Sequence, residues 1–461
     1  ATGTYHPPRK SDVHISYTPR VKGDATQIRK AVAMLANAKR PVIYSGGGVI
    51  NSGPEASQLL RQLVEATGFP ITSTLMGLGA YPASGPNWLG MLGMHGLYEA
   101  NMAMHDCDLM INVGARFDDR VTGHLPSFAP GARVIHADID PAEISKNRTA
   151  DVPIVGHVKE IIPDLVAELA TDTEALPDLA DWWAVLRRLQ ETYPMGWTET
   201  EDGLLAPQEV ISRLSALSGP EATYVAGVGQ HQMWASQFVA YERPRQWLNS
   251  AGLGTMGFAV PAAMGAQVGE PDRVVWAIDG DGCFQMTNQE LATCVINRIP
   301  IKIAVINNSS LGMVRQWQTL FYDGRYSNTD LNTGHDTARV PDFVKLADAY
   351  GCAALRCERD EDVDETIKKA LEINDRPVVV DFTVSADAMV WPMVPAGVSI
   401  RVAATAARTF SSTPMALSSL VCGNRMPNSS PPSRPITSEP RSAPRAASAT
   451  AASTTSPTAC P

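Results

Sequence analysis

Short apolar runs recur along this chain, and most of them end where glycine, aspartate or asparagine begins. PVIY leads into SGGG at 41–48, DLMINV into GARFDD at 108–119, RVIHA into DIDP at 133–141, and RVVWAI into DGDG at 273–282. TYVAGVG (223–229), IKIAVINN (301–308) and PVVVDFTV (377–384) are of the same kind. Val and Ile fill these runs almost continuously, as strands buried on both faces require. The stretches between them have helical spacing: in DATQIRKAVAMLANAKRP, Ile28, Val32, Leu35 and Ala36 share one face, and the pattern stops at Pro41. Strands alternating with helices predict a parallel, doubly wound sheet whose ligands gather beyond the carboxyl ends of its strands.

The pattern occupies 21–170 and returns at 206–399, so the expected fold class is α/β with two doubly wound parallel-sheet domains. Residues 171–205 between them are acidic, carry Trp182, Trp183 and Trp197, and show no strand alternation; they read as a helical connector. The first residue is Ala rather than Met, and residues 1–20 lack a helix start signal, as expected of the remnant of a missing amino-terminal domain and its linker. Residues 401–461 hold six Arg, no Lys, one acidic residue (Glu439) and nine Pro. Such a stretch buries too little apolar surface to offset its ordering entropy, so 400–461 is expected to be a disordered, atypical tail. Translation of a GC-rich gene in a shifted frame would produce this change of character.

Composition narrows the partners. With 461 residues and a formal net charge of −10, the chain has no concentrated basic face for nucleic acid, so small molecules are the expected ligands. Seven scattered cysteines without a CxxC pair suit a reducing cytoplasm better than a disulfide framework or a zinc site. No stretch is apolar for the 18 or more residues that span a bilayer, and the first twenty residues lack a signal peptide's apolar core. A soluble, cytoplasmic protein without membrane or nucleic-acid partners is expected.

The most telling segment is DGDGCF at 279–284, two carboxylates among glycines just where a buried strand ends. Glycine has no Cβ, so Gly280, Gly282 and their neighbours can bring backbone N–H groups close to a diphosphate. Asp281 can then hold the cation that neutralises it. Magnesium takes oxygen ligands and shares them with phosphates, so one or two further protein oxygens suffice. The next strand end supplies candidates: Asn308, in IAVINNSSLG, follows Asp281 by 27 residues, room for a helix and a parallel strand.

This spacing of GDG to NN resembles the signature of thiamine-diphosphate enzymes. The resemblance implies Asp281 and Asn308 as side-chain ligands of Mg²⁺ and Ser310 as a backbone ligand. VGQHQMW (228–234) and GLGTMGFAVPAAMGAQ (252–267) resemble acetohydroxyacid synthases, also called acetolactate synthases. There Gly229, Gln230, His231, Gly280, Asp281, Gly282 and Cys283 would hold thiamine diphosphate, and Met256 would wedge it into a bent shape. In GMVRQWQTLFYDGRYS (312–327) the resemblance makes Met313, Val314 and Trp317 the wall of an acceptor pocket favouring 2-ketobutyrate over pyruvate. Discrimination of one methylene amounts to about 1–3 kcal/mol, within reach of an aromatic wall. A plainly buried helix face explains Met313 and Trp317 equally well on spacing alone.

SGGGVINSG (45–53), TLMGLGAYP (74–82), LGMHG (92–96), GARFDDRVTG (114–123) and HADIDP (136–141) resemble, in order, the FAD-contacting loops of the same family. The implied contacts are Gly46, Gly47, Gly48, Thr74, Leu75, Met76, Met94, His95, Gly114, Arg116, Asp118, Arg120, Val121, Asp138 and Ile139. The resemblance also makes Arg120 the grip for the carboxylate of the incoming 2-ketoacid, a task suited to a planar guanidinium. A surface ion pair with Asp118 or Asp119 is the alternative.

The match runs over roughly 1–399 and implies an enzyme that decarboxylates pyruvate and joins the two-carbon unit to pyruvate or 2-ketobutyrate, for valine, leucine and isoleucine synthesis. FAD would be structural. A homodimer or homotetramer with a regulatory small subunit is implied, with active sites at a subunit interface. The family's amino-terminal domain supplies a glutamate for the proton relay, so this chain alone is expected to be nearly or wholly inactive. The alternatives are another FAD and thiamine-diphosphate enzyme, such as a glyoxylate carboligase or pyruvate oxidase, and a non-catalytic cofactor-binding fragment.

Overall fold

The computed structural model describes residues 20–171, 176–331 and 340–402. Expectations for 1–19 and 403–461 fall outside them. The first sheet is built from β1 (Pro41–Ser45), β2 (Ile71–Ser73), β3 (Trp88–Met91), β4 (Leu109–Val113), β5 (Arg133–Asp138) and β6 (Val152–Val155), in the order β3-β2-β1-β4-β5-β6. The second is built from β7 (Thr223–Ala226), β8 (Trp247–Asn249), β9 (Val275–Gly280), β10 (Lys302–Asn307), β11 (Ala353–Cys357) and β12 (Val378–Thr383), in the order β11-β12-β10-β9-β7-β8. Every pairing is parallel, so the chain is α/β with two doubly wound sheets, as the alternating pattern predicted.

Parallel strands need a crossover, and the crossovers put helices on both faces of each sheet. Every residue of β1, β4, β7 and β9 is accordingly buried. The helix Ala25–Ala36 shows how local chemistry starts such an element. The Asp24 carboxylate accepts the N–H groups of Thr26 and Gln27 at 3.0 Å, and Ile28, Val32 and Leu35 turn into the core.

Two segments tie the units together. In the connector, the helix Ala180–Thr192 lies on the first sheet, where Trp182 donates its ring N–H to the Pro41 carbonyl at 3.1 Å. Leu78 and Met91 of the first unit join a core cluster with Trp234, Trp276 and Phe382 of the second. Beyond β12 the chain turns back: Val390 packs in that shared cluster, whereas Val394 and Ile400 enter the core of the first unit. The Val394 N–H donates to the Met94 carbonyl at 2.7 Å, and the His124 N–H to the Val398 carbonyl at 3.0 Å. This returning strap places residues of 388–400 between the two sheets' carboxyl ends.

Five cysteines, Cys107, Cys283, Cys294, Cys352 and Cys357, are buried and free. Among the described residues no helix is long and apolar enough to cross a membrane.

Glu99, in the first turn of the helix Tyr98–Asp106, is buried with one carboxylate oxygen lacking a partner, and burial pushes its pKa from 4.5 up to about 7. Because the folded form holds the proton more tightly, the stability this adds is complete below pH 4.5 and is lost as the pH rises through about 7. Glu99→Gln should therefore be close to neutral at pH 4.5 and stabilising at pH 8. Urea midpoints of both proteins at the two pH values check this; an equal difference at both would refute it.

Candidate functional site

The order of the second sheet puts the carboxyl ends of β7, β9 and β10 side by side, and the loops leaving them enclose a cleft of about 500 Å³, part of it open to solvent. Its lining includes Gly229, Gln230 and His231 after β7, Gly280, Asp281, Gly282 and Cys283 after β9, and Asn308 and Ser310 after β10. Met256, Met313 and Val314 complete one side. Residues drawn from separate stretches of sequence thus share one concave surface.

Asp281 opens the short helix Asp281–Phe284, where its backbone begins a helical turn beyond β9. Its carboxyl is buried, one oxygen has no partner, and burial raises its pKa to about 7. The N–H groups of Gly282 and Ser310 pull the other way, and the Asp381 carboxylate adds to the rise. The Ser310 N–H also donates to Asn308 Oδ1 at 3.1 Å. Asp281 and Asn308 thus line one cleft from the neighbouring tips of β9 and β10. Ser309 takes a φ of +54° and turns the loop here.

Asn308 Nδ2 donates to Gln230 Oε1 at 3.2 Å. Gly312 stands against this contact: a Cβ there would lie 1.9 Å from Gln230 Oε1 and 2.7 Å from Asn308 Nδ2. Deeper in, Cys283 receives the N–H groups of Gly257 at 3.0 Å and Val228 at 3.3 Å, so its thiol draws the Met256 loop and the β7 loop onto the end of β9. His231 Nε2 lies 3.6 Å from Asp279 Oδ1. Burial pushes His231 down to about 3 and Asp279 up to about 7, so the imidazole is uncharged and the contact is not a salt bridge.

Trp317 is one helical turn past Met313 and outside the cleft lining; its ring packs edge-on against Phe321 at 6.0 Å, and its buried ring N–H has no partner. Arg120 is not in this cleft either. It sits in the short helix Asp119–Thr122 beyond β4 in the first unit, exposed, 3.6 Å from Asp119, the surface pairing that was the alternative.

In the first sheet β1 and β4 are neighbours from which the chain winds in opposite directions, the arrangement that opens a crevice at the strand ends. Gly46, Gly47 and Gly48 leave β1 here, and Gly114 leaves β4. A Cβ on Gly46 would lie 2.2 Å from the Gly114 carbonyl oxygen, so the two loops touch backbone to backbone. Thr74, Leu75 and Met76 follow β2, with Thr74 Oγ1 accepting the Gly77 N–H at 3.1 Å. The Met94 N–H donates to the Arg120 carbonyl at 2.7 Å, joining the β3 and β4 loops. His95 beside it is buried and pushed down to about 4. Arg116 pairs with Asp118 at 3.8 Å, and the Asp118 side chain accepts the Arg120 N–H at 2.9 Å. Val121 is buried, Asp138 ends β5 with its carboxylate accepting the Asp140 N–H at 2.9 Å, and Ile139 is exposed.

Sequence reasoning passed over Gln316. It is the buried residue of the helix Gly312–Phe321, and its side-chain oxygen accepts from Gln230 Nε2 at 2.9 Å and from the Val390 N–H at 2.8 Å. A glutamine amid polar neighbours in RQWQ carries no sequence signal of burial.

Residues 227–382 match the C-terminal TPP-binding domain of thiamine pyrophosphate enzymes, and residues 28–165 match their central domain. Together the matches take in more than half of the chain, which belongs to the thiamine pyrophosphate enzyme family. Within that family the likeness is to acetolactate synthases. The chain is 60% identical over 395 residues to an acetolactate synthase of Mycobacterium avium, with 85% of this chain and 62% of the relative aligned. It is 55% identical over 383 residues to the acetolactate synthase large subunit of Corynebacterium glutamicum, aligning 83% of this chain and 60% of that one. It is 41% identical over 382 residues to the isozyme 3 large subunit of Escherichia coli K12, with 82% and 65% aligned. The chain thus spans less than two thirds of the length of these relatives.

Gly312→Ala should displace the Gln230 side chain without disturbing the helix, because alanine suits the first turn. Thiamine diphosphate should then bind about tenfold more weakly in a calorimetric titration, a loss of about 1.4 kcal/mol. Unchanged affinity would show that the Asn308–Gln230 contact does not shape the cleft for this ligand.

Proposed function

We propose that this chain is the catalytic part of an acetolactate synthase, with thiamine diphosphate and Mg²⁺ in the cleft of the second sheet and FAD along the first. The observation that carries the reading is that Asp281, with an unpartnered buried oxygen, and Asn308 line one cleft from adjacent strand tips, beside glycine backbone. The unpartnered, buried Asp281 oxygen fits a cation: a carboxyl that burial holds near 7 regains its charge beside a divalent ion. Asp281, Asn308 Oδ1 and the Ser310 carbonyl are hard oxygen donors, the set magnesium favours.

Bound thiamine diphosphate supplies the carbon centre that takes up a 2-ketoacid and accommodates the electron pair released with carbon dioxide. The protein's own groups do the rest. Backbone N–H groups of Gly229–His231 and Gly280–Cys283 would receive the diphosphate, and Met256, in the same lining, would pack against the cofactor. Met313 and Val314 form an apolar wall that excludes water near the acceptor ketoacid, with Trp317 a turn further on. The balanced outcome is two pyruvate molecules, or one pyruvate and one 2-ketobutyrate, joined with loss of one carbon dioxide.

Arg120 suits the carboxylate of the incoming ketoacid, and its exposed position on the first unit lets it serve a neighbouring subunit in a homodimer or homotetramer. The crevice between β1 and β4, with its glycine contact and Asp138 beyond β5, supports FAD as the ligand of the first sheet. The relatives from C. glutamicum and E. coli are named large subunits, which supports a regulatory small subunit as partner. Free buried cysteines support a cytoplasmic setting.

Two measurements test this. Asp281→Ala should abolish the Mg²⁺-dependent rise in melting temperature that thiamine diphosphate gives the parent chain; a ligand at 100 times its Kd adds about 2.7 kcal/mol. A shift that survives in Asp281→Ala would remove the metal assignment. Second, the chain is incubated with pyruvate, thiamine diphosphate, Mg²⁺ and FAD, alone and with the part of the M. avium relative that it does not span. 2-Acetolactate is the expected product of the complemented mixture. In parallel incubations, acetyl phosphate formed from pyruvate with phosphate and O2, or condensation of glyoxylate supplied in place of pyruvate, would assign it to the oxidase or carboligase alternatives.

A further inference from the structure

We infer that Gln316 is a positioning residue that couples occupancy of the Asp281–Asn308 cleft to the seating of the strap 388–394 on the first unit. The inference rests on the thiamine diphosphate reading above.

Three side-chain amides form one directed chain. The Ser310 N–H donates to Asn308 Oδ1 (3.1 Å), Asn308 Nδ2 donates to Gln230 Oε1 (3.2 Å), Gln230 Nε2 donates to Gln316 Oε1 (2.9 Å), and Gln316 Nε2 donates to the Val390 carbonyl (3.0 Å). Backbone groups at both ends fix its direction. The Ser310 N–H demands an oxygen from Asn308, and the Val390 N–H, which also donates to Gln316 Oε1 (2.8 Å), demands an oxygen from Gln316. With those two amides oriented, Gln230 has one orientation that satisfies both neighbours. No member can flip alone without setting two donors or two acceptors against each other.

The chain does not end at the strap. Gln230 Nε2 also reaches the Ala388 carbonyl at 3.0 Å, so 388–390 is held by two of the three amides. Next along the strap, the Trp391 carbonyl accepts from Gln237 Nε2 at 3.0 Å, and the same nitrogen donates to the His95 carbonyl at 2.8 Å. The Val394 N–H then donates to the Met94 carbonyl at 2.7 Å. A path of hydrogen bonds thus runs from the metal-side residue Asn308 to the loop after β3.

A cation beside Asn308 Oδ1 draws electron density toward that oxygen and makes Nδ2–H a stronger donor to Gln230. In a directed chain each link polarises the next, so the strap is gripped more tightly when the cleft is filled. Gln230 reaches the strap directly only at the Ala388 carbonyl, whereas Gln316 joins Gln230 to both polar groups of Val390 and so governs the strap from 390 onward. It also sits on the helix that carries Met313 and Val314. Cofactor binding, strap and acceptor wall are brought into register through one side chain. The exposed Arg315–Asp387 pair at 2.8 Å gives the strap a second, surface tether that does not pass through the cleft.

Hydrogen exchange of the full chain, with and without Mg²⁺ plus thiamine diphosphate, reads the coupling. In the parent protein the amides of 388–394 should slow by about tenfold on adding cofactor, within the range of ordinary coupling energies. Gln316→Met, close in volume but without polar atoms, should still take up cofactor by calorimetry and lose that slowing. At pH 6, where a buried carboxyl is held protonated and so keeps an acceptor for Gln230 and the Val390 N–H and a donor for the Val390 carbonyl, Gln316→Glu should retain it, which a loss of packing alone would not predict. Slowing in Gln316→Met equal to the parent's, or lost as fully in Gln316→Glu, would overturn the inference. So would cofactor-induced slowing in the parent confined to 228–231 and 308–312, a result that requires no variant to fold. Absence of any cofactor binding by the parent would instead strike the underlying thiamine diphosphate reading.

Discussion

A strand buried on both faces can put polar groups to use only at its ends, and that constraint organises this molecule. β1, β4, β7 and β9 have no exposed residue, so any ligand must approach along the strand direction. The carboxyl ends are favoured because the crossover helices begin there, presenting N–H groups and room for loops. Both sheets use the place where the winding changes direction: β1 beside β4 in the first, β7 beside β9 in the second. Glycine then follows of necessity, since loops from adjacent strands 4.7–4.9 Å apart leave no space for side chains where they cross.

Putting carboxylates at such a place is costly to the empty fold. Asp279 and Asp281 are both buried, both raised to about 7 mainly by loss of water, and each has an oxygen without a partner. A hydrophobic pair of similar size would make a more stable protein. The second carboxylate explains itself through the cleft it lines: its oxygen is unpartnered, and Asn308 and Ser310 offer further oxygens there, a set suited to a divalent ion. Asp279 has a different role, lying against the His231 ring and the Cys283 thiol, where it helps set the loops rather than faces the cleft.

The central strands were legible in the sequence and the edges were not. All seven expected runs became strands, because continuous Val and Ile over five or six residues have few other solutions. Five strands went unforeseen: Ile71–Ser73, Trp88–Met91, Val152–Val155, Trp247–Asn249 and Ala353–Cys357. Each is five residues or shorter, most lie at sheet margins, and several mix tryptophan, asparagine or proline into the run, so propensity alone cannot raise them above loop. The cleft was legible for the same reason as the strands that end at it: Asp281 and Asn308 sit at fixed distances past recognisable runs. Residues placed by the helix Gly312–Phe321 were harder. Met313 and Val314 reach the cleft, Trp317 lies outside its lining, and Gln316 is buried. Spacing along a helix fixes which residues share a face, but not which face the fold will bury.

That Gln316 is an amide and not a charged group follows from the same economy. Between Gln230 and Val390 the position must accept twice and donate to the Val390 carbonyl and, at 3.4 Å, to the Met393 sulfur, all while buried. A lysine has no acceptor, and an ionised carboxylate has no donor and would have to lose its water with no cation at hand. Glutamine meets the demand with no net charge, and its length spans from a helix in the second unit to a strap that continues into the first. Long-range registration between two separately wound sheets is thereby carried by neutral dipoles, which transmit orientation over a path where a buried charge would have created a site of its own.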